Sequence, residues 1–155
     1  MEPQDIYWMQ KALKLATTAA DKGEVPVGSI LISKQNKHLA EGHNLKEFLQ
    51  SPLGHAEMLT LHRASQNLKQ WRLLDCTLYV TLEPCLMCAG AILQSRISRV
   101  VFAASDQKSG ACGSVYDVSN NSKLNHRFSV TAGVLASESI ELLQTFFKKQ
   151  RANKK

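Results

Sequence analysis

The stretch TLYVTLEPCLMCAGAILQS, residues 77–95, changes character halfway along. TLYVT, residues 77–81, is rich in β-branched and aromatic residues that suit a pleated strand, whereas CLMCAGAILQS, from Cys85, consists largely of good helix formers. Between them lies Glu83-Pro84, and a proline fits the first turn of a helix because its missing N–H would have no intrahelical partner there. Strand, turn and helix therefore follow one another without a linker. The same turn places Cys85 and Cys88 three positions apart at a helix start.

The pattern continues on both sides. Upstream, Ile6, Met9, Leu13, Ala16 and Ala20 recur at helical spacing and the stretch ends at Lys22-Gly23, a helix exit. VGSILIS (27–33) and HLAEGHN (38–44) flank the polar KQNK and predict an antiparallel strand pair. A loop with Ser51, Pro52 and Gly54 leads into a second helix from His55 to about Lys69, with Met58, Leu61, Ser65 and Leu68 on one face. Downstream come a strand at Arg99–Ala103, the loop SDQKSGACGS (105–114), a strand at Thr131–Ala136 and an amphipathic helix at Ser137–Lys149. Alternating strands and helices imply an α/β sandwich containing parallel strands. With no repeat or linker, residues 1–155 are expected to form one domain, ending in a basic tail at about 148–155 that contains Lys148, Lys149, Arg151, Lys154 and Lys155.

Of the 155 residues 44% are hydrophobic, and no apolar run approaches the roughly 20 residues a membrane span needs. The N-terminal MEPQDIYWMQ has no signal-peptide core, so a cytoplasmic protein without membrane contact is expected. Nineteen Lys and Arg against thirteen Asp and Glu give a net charge of +6, which favours an anionic partner such as nucleic acid without identifying one. The basic tail by itself reads equally as a solvated helix end.

In a reducing compartment a close C-x-x-C pair is metal-binding or redox-active rather than a structural bridge. Converging N–H groups at a helix start favour thiolate, which both chemistries want. Zinc in a catalytic site takes three protein ligands and leaves a fourth position to water. GHAEMLTLH (54–62) offers the third ligand: His55 at a helix start, with Glu57 two residues later to move protons beside an open position. H-x-E followed by P-C-x-x-C is the signature of zinc nucleobase deaminases. A redox reading leaves His55 and Glu57 without a task. A closed structural zinc site needs a fourth ligand from Cys76 or Cys112, which lack ligand-pair spacing and read as small buried hydrophobes. His38, His43, His62 and His126 have no partner pattern.

From about Asp5 to Lys149 the chain resembles the bacterial tRNA-specific adenosine deaminases of the cytidine deaminase-like superfamily. The resemblance rests on GEVPVG (23–28), GHN (42–44), GHAE (54–57), TLEPCLMCAGAI (81–92), RISRVVFAASDQKSGACGS (96–114) and FFKK (146–149). Where that family often has an acidic residue and then Ala-His-Ala-Glu, this chain has Ser51-Pro52-Leu53 before Gly54-His55-Ala56-Glu57. The resemblance implies a three-layer α/β/α sandwich with a central mixed five-stranded sheet, and a homodimer with one zinc ion per subunit held by His55, Cys85 and Cys88. It also implies Glu57 as the catalytic acid–base, Asn44, Pro84 and Asp106 as substrate contacts, and conversion of adenosine to inosine at the wobble position of an arginine tRNA anticodon stem-loop. The rival readings are a deaminase of a free base or nucleoside, and a non-enzymatic zinc module that binds RNA.

Overall fold

The computed structural model describes residues 1–154 and is organised around β3 (Thr77–Leu82), the middle strand of a five-stranded sheet. The other strands are β1 (Gly28–Ile32), β2 (His38–His43), β4 (Arg99–Ala104) and β5 (Ser129–Ala132), and the order is β2-β1-β3-β4-β5. β1 runs antiparallel to both β2 and β3, while β3, β4 and β5 run parallel, so the sheet is mixed and changes direction at β3.

Both faces of the central strands are buried, which is why these segments read as continuous apolar runs rather than alternating ones. Ile30, Ile32, Tyr79, Val101 and Ala103 face α1 (Pro3–Asp21), meeting Trp8, Met9 and Ala12. Leu31, Leu78, Val80, Val100 and Phe102 face the other way, against Ala56, Leu61 and Ala64 of α3 (Ala56–Leu68) and Ala89, Ile92 and Leu93 of α4 (Leu86–Gln94). α5 (Ala136–Asn153) joins α1 on the first face. The result is the expected three-layer α/β/α sandwich.

Five expectations need correction. The buried stripe of α3 is Ala56, Glu57, Thr60, Leu61 and Ala64, so of the predicted face only Leu61 belongs to it, and Leu68 is exposed. The buried stripe of α1 is Asp5, Trp8, Met9, Ala12, Ala16 and Ala19, rotated from the predicted one because Asp5 is a core residue. A short helix, α2 (Lys46–Leu49), stands where only a loop was expected. The last strand starts and ends earlier than predicted: β5 pairs with β4 from Ser129 to Ala132, after which Leu135, at φ 56°, turns the chain into α5. α5 itself runs on to Asn153, so most of the basic tail is helix, and Lys155 lies outside the described residues.

Asp5 ties the layers together. It accepts hydrogen bonds from the Tyr79 hydroxyl at 2.7 Å and from both terminal nitrogens of Arg99 at 2.9 and 2.7 Å, and Arg99 also reaches Thr131 Oγ1 at 3.0 Å. One carboxylate thus connects α1, β3, β4 and β5. Burial pushes the Asp5 carboxyl up, but the bonds from Arg99 and Tyr79 outweigh it and hold the group below its usual value. A depressed folded pKa contributes stability that is complete above the unfolded value near 3.9 and is lost as pH falls through the folded one. Asp5→Asn is expected to cost about 3 kcal/mol at pH 7, because it leaves a guanidinium facing an amide donor. Urea midpoints measured for parent and variant should differ at pH 7 and converge below about pH 4.

Candidate active site

At the end of β3 the chain passes through Glu83 and Pro84 to Cys85, the N-cap residue of α4, with φ −74° and ψ 175°. His55 is the N-cap residue of α3, in a similar extended conformation at φ −75° and ψ 147°. Neither side chain caps its own helix, and the two turn toward each other across the gap between the two helix starts. His55 Nδ1 lies 3.6 Å from Cys85 Sγ and 3.4 Å from Cys88 Sγ. The three ligand atoms lie within 4.8 Å of one another, and among the described residues no further His, Cys, Asp or Glu joins them. One imidazole nitrogen and two sulfurs form a borderline-soft donor set that fits zinc, and three protein donors leave a tetrahedral ion one corner open.

Glu57, in the first turn of α3, is buried and shares a pocket with His55 and Cys85. Burial raises the Glu57 carboxyl above its usual range. The thiols divide unequally. A hydrogen bond from Cys88, followed by one from His55, holds the Cys85 thiol down at about 4, while the same Cys85 contact and deep burial push Cys88 far up. The bond to Cys85 also raises His55.

The pocket has a volume of about 160 Å³, and Asn44, Lys46, Glu83, Asp106 and Ser109 complete its polar lining. Asn44 Oδ1 accepts from the Lys46 N–H at 2.9 Å and Nδ2 donates to the Val25 carbonyl at 3.2 Å, which holds the amide in place with one Nδ2 hydrogen to spare. Asp106 is turned into its own loop: it accepts from the Lys108 and Ser109 N–H groups at 3.0 and 3.2 Å, and from the Ser109 hydroxyl at 2.8 Å. Pro84 is buried and is not on the pocket wall; its carbonyl accepts from the Ala111 N–H at 2.8 Å.

Cys76 and Cys112 stand apart from this group, buried and unbridged, as small hydrophobes. Burial raises both thiols, Cys112 to about 12. Three charged residues near the site escaped sequence reasoning. Lys46 lines the pocket. Glu24, buried, accepts from the Glu47 and Phe48 N–H groups at 2.9 and 2.8 Å and so caps α2. Glu83, also buried, accepts from the Asp106 and Cys112 N–H groups at 3.1 and 3.0 Å. The one available signal was an acid set within an otherwise buried run, as in TLEPC and GEVPV.

A His-Cys-Cys cluster beside a buried Glu is the constellation of the zinc nucleobase deaminases. The MafB19-like deaminase family matches residues 4–151. A tRNA-specific adenosine deaminase of Haemophilus influenzae is 50% identical over 151 residues, covering 97% of this chain and 87% of that protein. One from Bacillus subtilis is 44% identical over 152 residues, covering 98% and 94%. A solved structure from work on A-to-I editing by tRNA:A34 deaminases at the wobble position of transfer RNA superimposes with a TM-score of 0.85 at 37% identity, covering 88% of this chain and 99% of that one. The chain belongs to this family of deaminases, in its tRNA-specific adenosine deaminase branch.

The unequal thiols give a direct chemical test. With Cys85 near 4 and the other three cysteines raised, metal-free protein treated with iodoacetamide at pH 6 is expected to be alkylated first at Cys85. Peptide mapping by mass spectrometry reads the order, and labelling that begins at Cys76 or Cys112 would contradict this assignment.

Proposed function

We propose that this chain converts adenosine to inosine at the wobble position of an arginine tRNA, using one zinc ion per subunit held by His55, Cys85 and Cys88. The observation that carries the reading is a buried carboxyl, Glu57, in the same pocket as three convergent metal-ligand atoms. A bound zinc ion would supply Lewis acidity that makes water a competent nucleophile near neutral pH. Glu57 does the proton work. Its raised pKa brings it nearer the operating pH, where a general base is most effective. The carboxylate takes a proton from the attacking water and delivers it to N1 of adenine as oxygen bonds to C6. It then passes the second proton to the departing amine, so that adenosine and water give inosine and ammonia.

The three expected substrate contacts divide by role. Asn44 offers its spare Nδ2 hydrogen to the nucleoside, whereas Asp106 shapes the wall, since its oxygens are already engaged within the loop. Pro84 acts through the backbone, fixing the turn that presents Cys85. Extruding a base costs least where it is already unpaired, which suits an anticodon loop. The RNA footprint extends along α5, where Lys148, Lys149 and Arg151 are exposed. Phe146 is buried, so stacking against RNA falls to the exposed Phe147, which shares a groove beside the pocket with Asp106 and Lys108. Exposed Phe48, Leu53 and Leu86, on segments flanking the site, favour cover by a second copy, consistent with a homodimer. A tRNA substrate and four unbridged cysteines fit the cytoplasm; among the described residues no helix is long and apolar enough to cross a membrane.

Incubating zinc-loaded protein with an adenosine-bearing arginine anticodon stem-loop is expected to yield inosine, with free adenosine left intact. Turnover of free adenosine but not of the stem-loop would favour a nucleoside deaminase instead. Glu57→Ala should retain zinc while losing at least about 100-fold in kcat, the usual worth of a positioned acid–base group; turnover near the parent rate would remove Glu57 from the mechanism.

Replacing Lys148, Lys149 and Arg151 by Gln should weaken stem-loop binding and lower the slope of log K against log salt by about 2, at about 0.7 per lost phosphate contact on single strands. Titrations between 50 and 200 mM salt, roughly the range over which such contacts are read, would measure it.

A further inference from the structure

The Glu83 carboxylate is buried between the strand that delivers the cysteines and the loop that walls the pocket, and the proton transfers described above do not use it. Its Oε1 accepts from the Asp106 N–H at 3.1 Å and from the Ser114 hydroxyl. Its Oε2 accepts from the Cys112 N–H at 3.0 Å and the Ser114 N–H at 3.1 Å. The loop is wound tightly around this group: a Cβ on Gly110 would collide with the carboxyl and stand 2.6 Å from the Asp106 carbonyl oxygen. Backbone contacts complete the seam. Glu83 N–H donates to Ala104 at 2.8 Å, and Cys85 and Gly110 form an antiparallel bridge.

We propose that Glu83 is a positioning residue: its carboxylate clamps residues 106–114 against the strand end that carries Cys85, and so sets how well the pocket holds its nucleoside rather than the rate of bond-making. The wall it clamps includes Asp106 and Ser109, while His55 and Glu57 belong to α3 and its N-cap and have no bond to Glu83. The kinetic part of this assignment rests on the deaminase reading; the clamp itself does not.

Glu83→Gln tests it with little change of shape. Two N–H donors face Oε2, so the substituted side chain must keep its oxygen there and turn its NH2 toward Ser114 Oγ and the Asp106 N–H. The hydroxyl can rotate to accept; the Asp106 amide cannot. That end of the loop is therefore released selectively. Zinc content should stay at the parent level, and amide hydrogen exchange should speed up at least about tenfold across 106–114 while β3 and α3 are unchanged. With the stem-loop, KM should rise about tenfold, the scale of one lost charge-assisted hydrogen bond, with kcat within about threefold of the parent. Unchanged exchange in the loop, or a tenfold fall in kcat at constant KM, would overturn the proposal. If Glu83→Gln fails to fold, Ser114→Ala removes one contact from outside the core, and the same exchange pattern in weaker form is expected; its absence counts against the clamp. A parent protein that forms no inosine would refute the deaminase reading while the exchange result still judges the clamp.

Discussion

Two helices must begin at one point for this site to exist. The N-cap positions of α3 and α4 are occupied by His55 and Cys85, and Cys88 follows within the first turn of α4. At a helix start the backbone N–H groups lack intrahelical partners and carry partial positive charge, which stabilises sulfur as thiolate. Bringing two such ends together is the work of the sheet. α3 returns along β1 and β2, α4 leaves the end of β3, and both pack on the same face through Leu61, Ala64, Ala89 and Ile92. If that packing loosened, the imidazole and the sulfurs would separate, whatever their chemistry.

Buried acids act as struts in the rest of the frame. Asp5 joins α1 to three strands through Arg99, Tyr79 and Thr131; Glu24 holds the start of α2; Glu83 gathers the loop after β4. Each has strong donors at both oxygens, which offsets the desolvation of a buried carboxylate. Glu57 differs. Burial dominates its environment, so its proton is held more tightly than that of an ordinary glutamate. A carboxyl that is easily recharged suits proton transfer, whereas one locked by guanidinium or amide donors suits architecture.

The core strands and the ligand set were legible in the sequence for the same reason: their signals are local. Apolar runs placed β1, β3 and β4 to within a residue or two, and the spacings H-x-E and P-C-x-x-C placed His55, Glu57, Cys85 and Cys88 at helix starts. What stayed hidden depends on partners distant in the chain. The face of α1 was misplaced because Asp5 counts as polar until Arg99, far along the sequence, is known to meet it. α2 is held by Glu24, which lies 23 and 24 residues before the amides it accepts from, and nothing within KEFL announces a helix. Glu83 reads as part of a turn because three of its four donors are backbone amides of residues 106–114, which carry no side-chain signature.

Gly28 sits where α1 lies directly on β1, and a single methyl added there would fall 2.8 Å from the Ala16 nitrogen and collide with the Ala12 carbonyl. No rotamer relieves that overlap, since the obstacle is main chain rather than a movable side chain. For anyone diversifying this scaffold toward new nucleosides, position 28 is closed to every other amino acid, and the back of the sheet is best left untouched. The productive positions lie opposite, at the exposed Val115 and Tyr116, which are not among the residues bonded to Glu83.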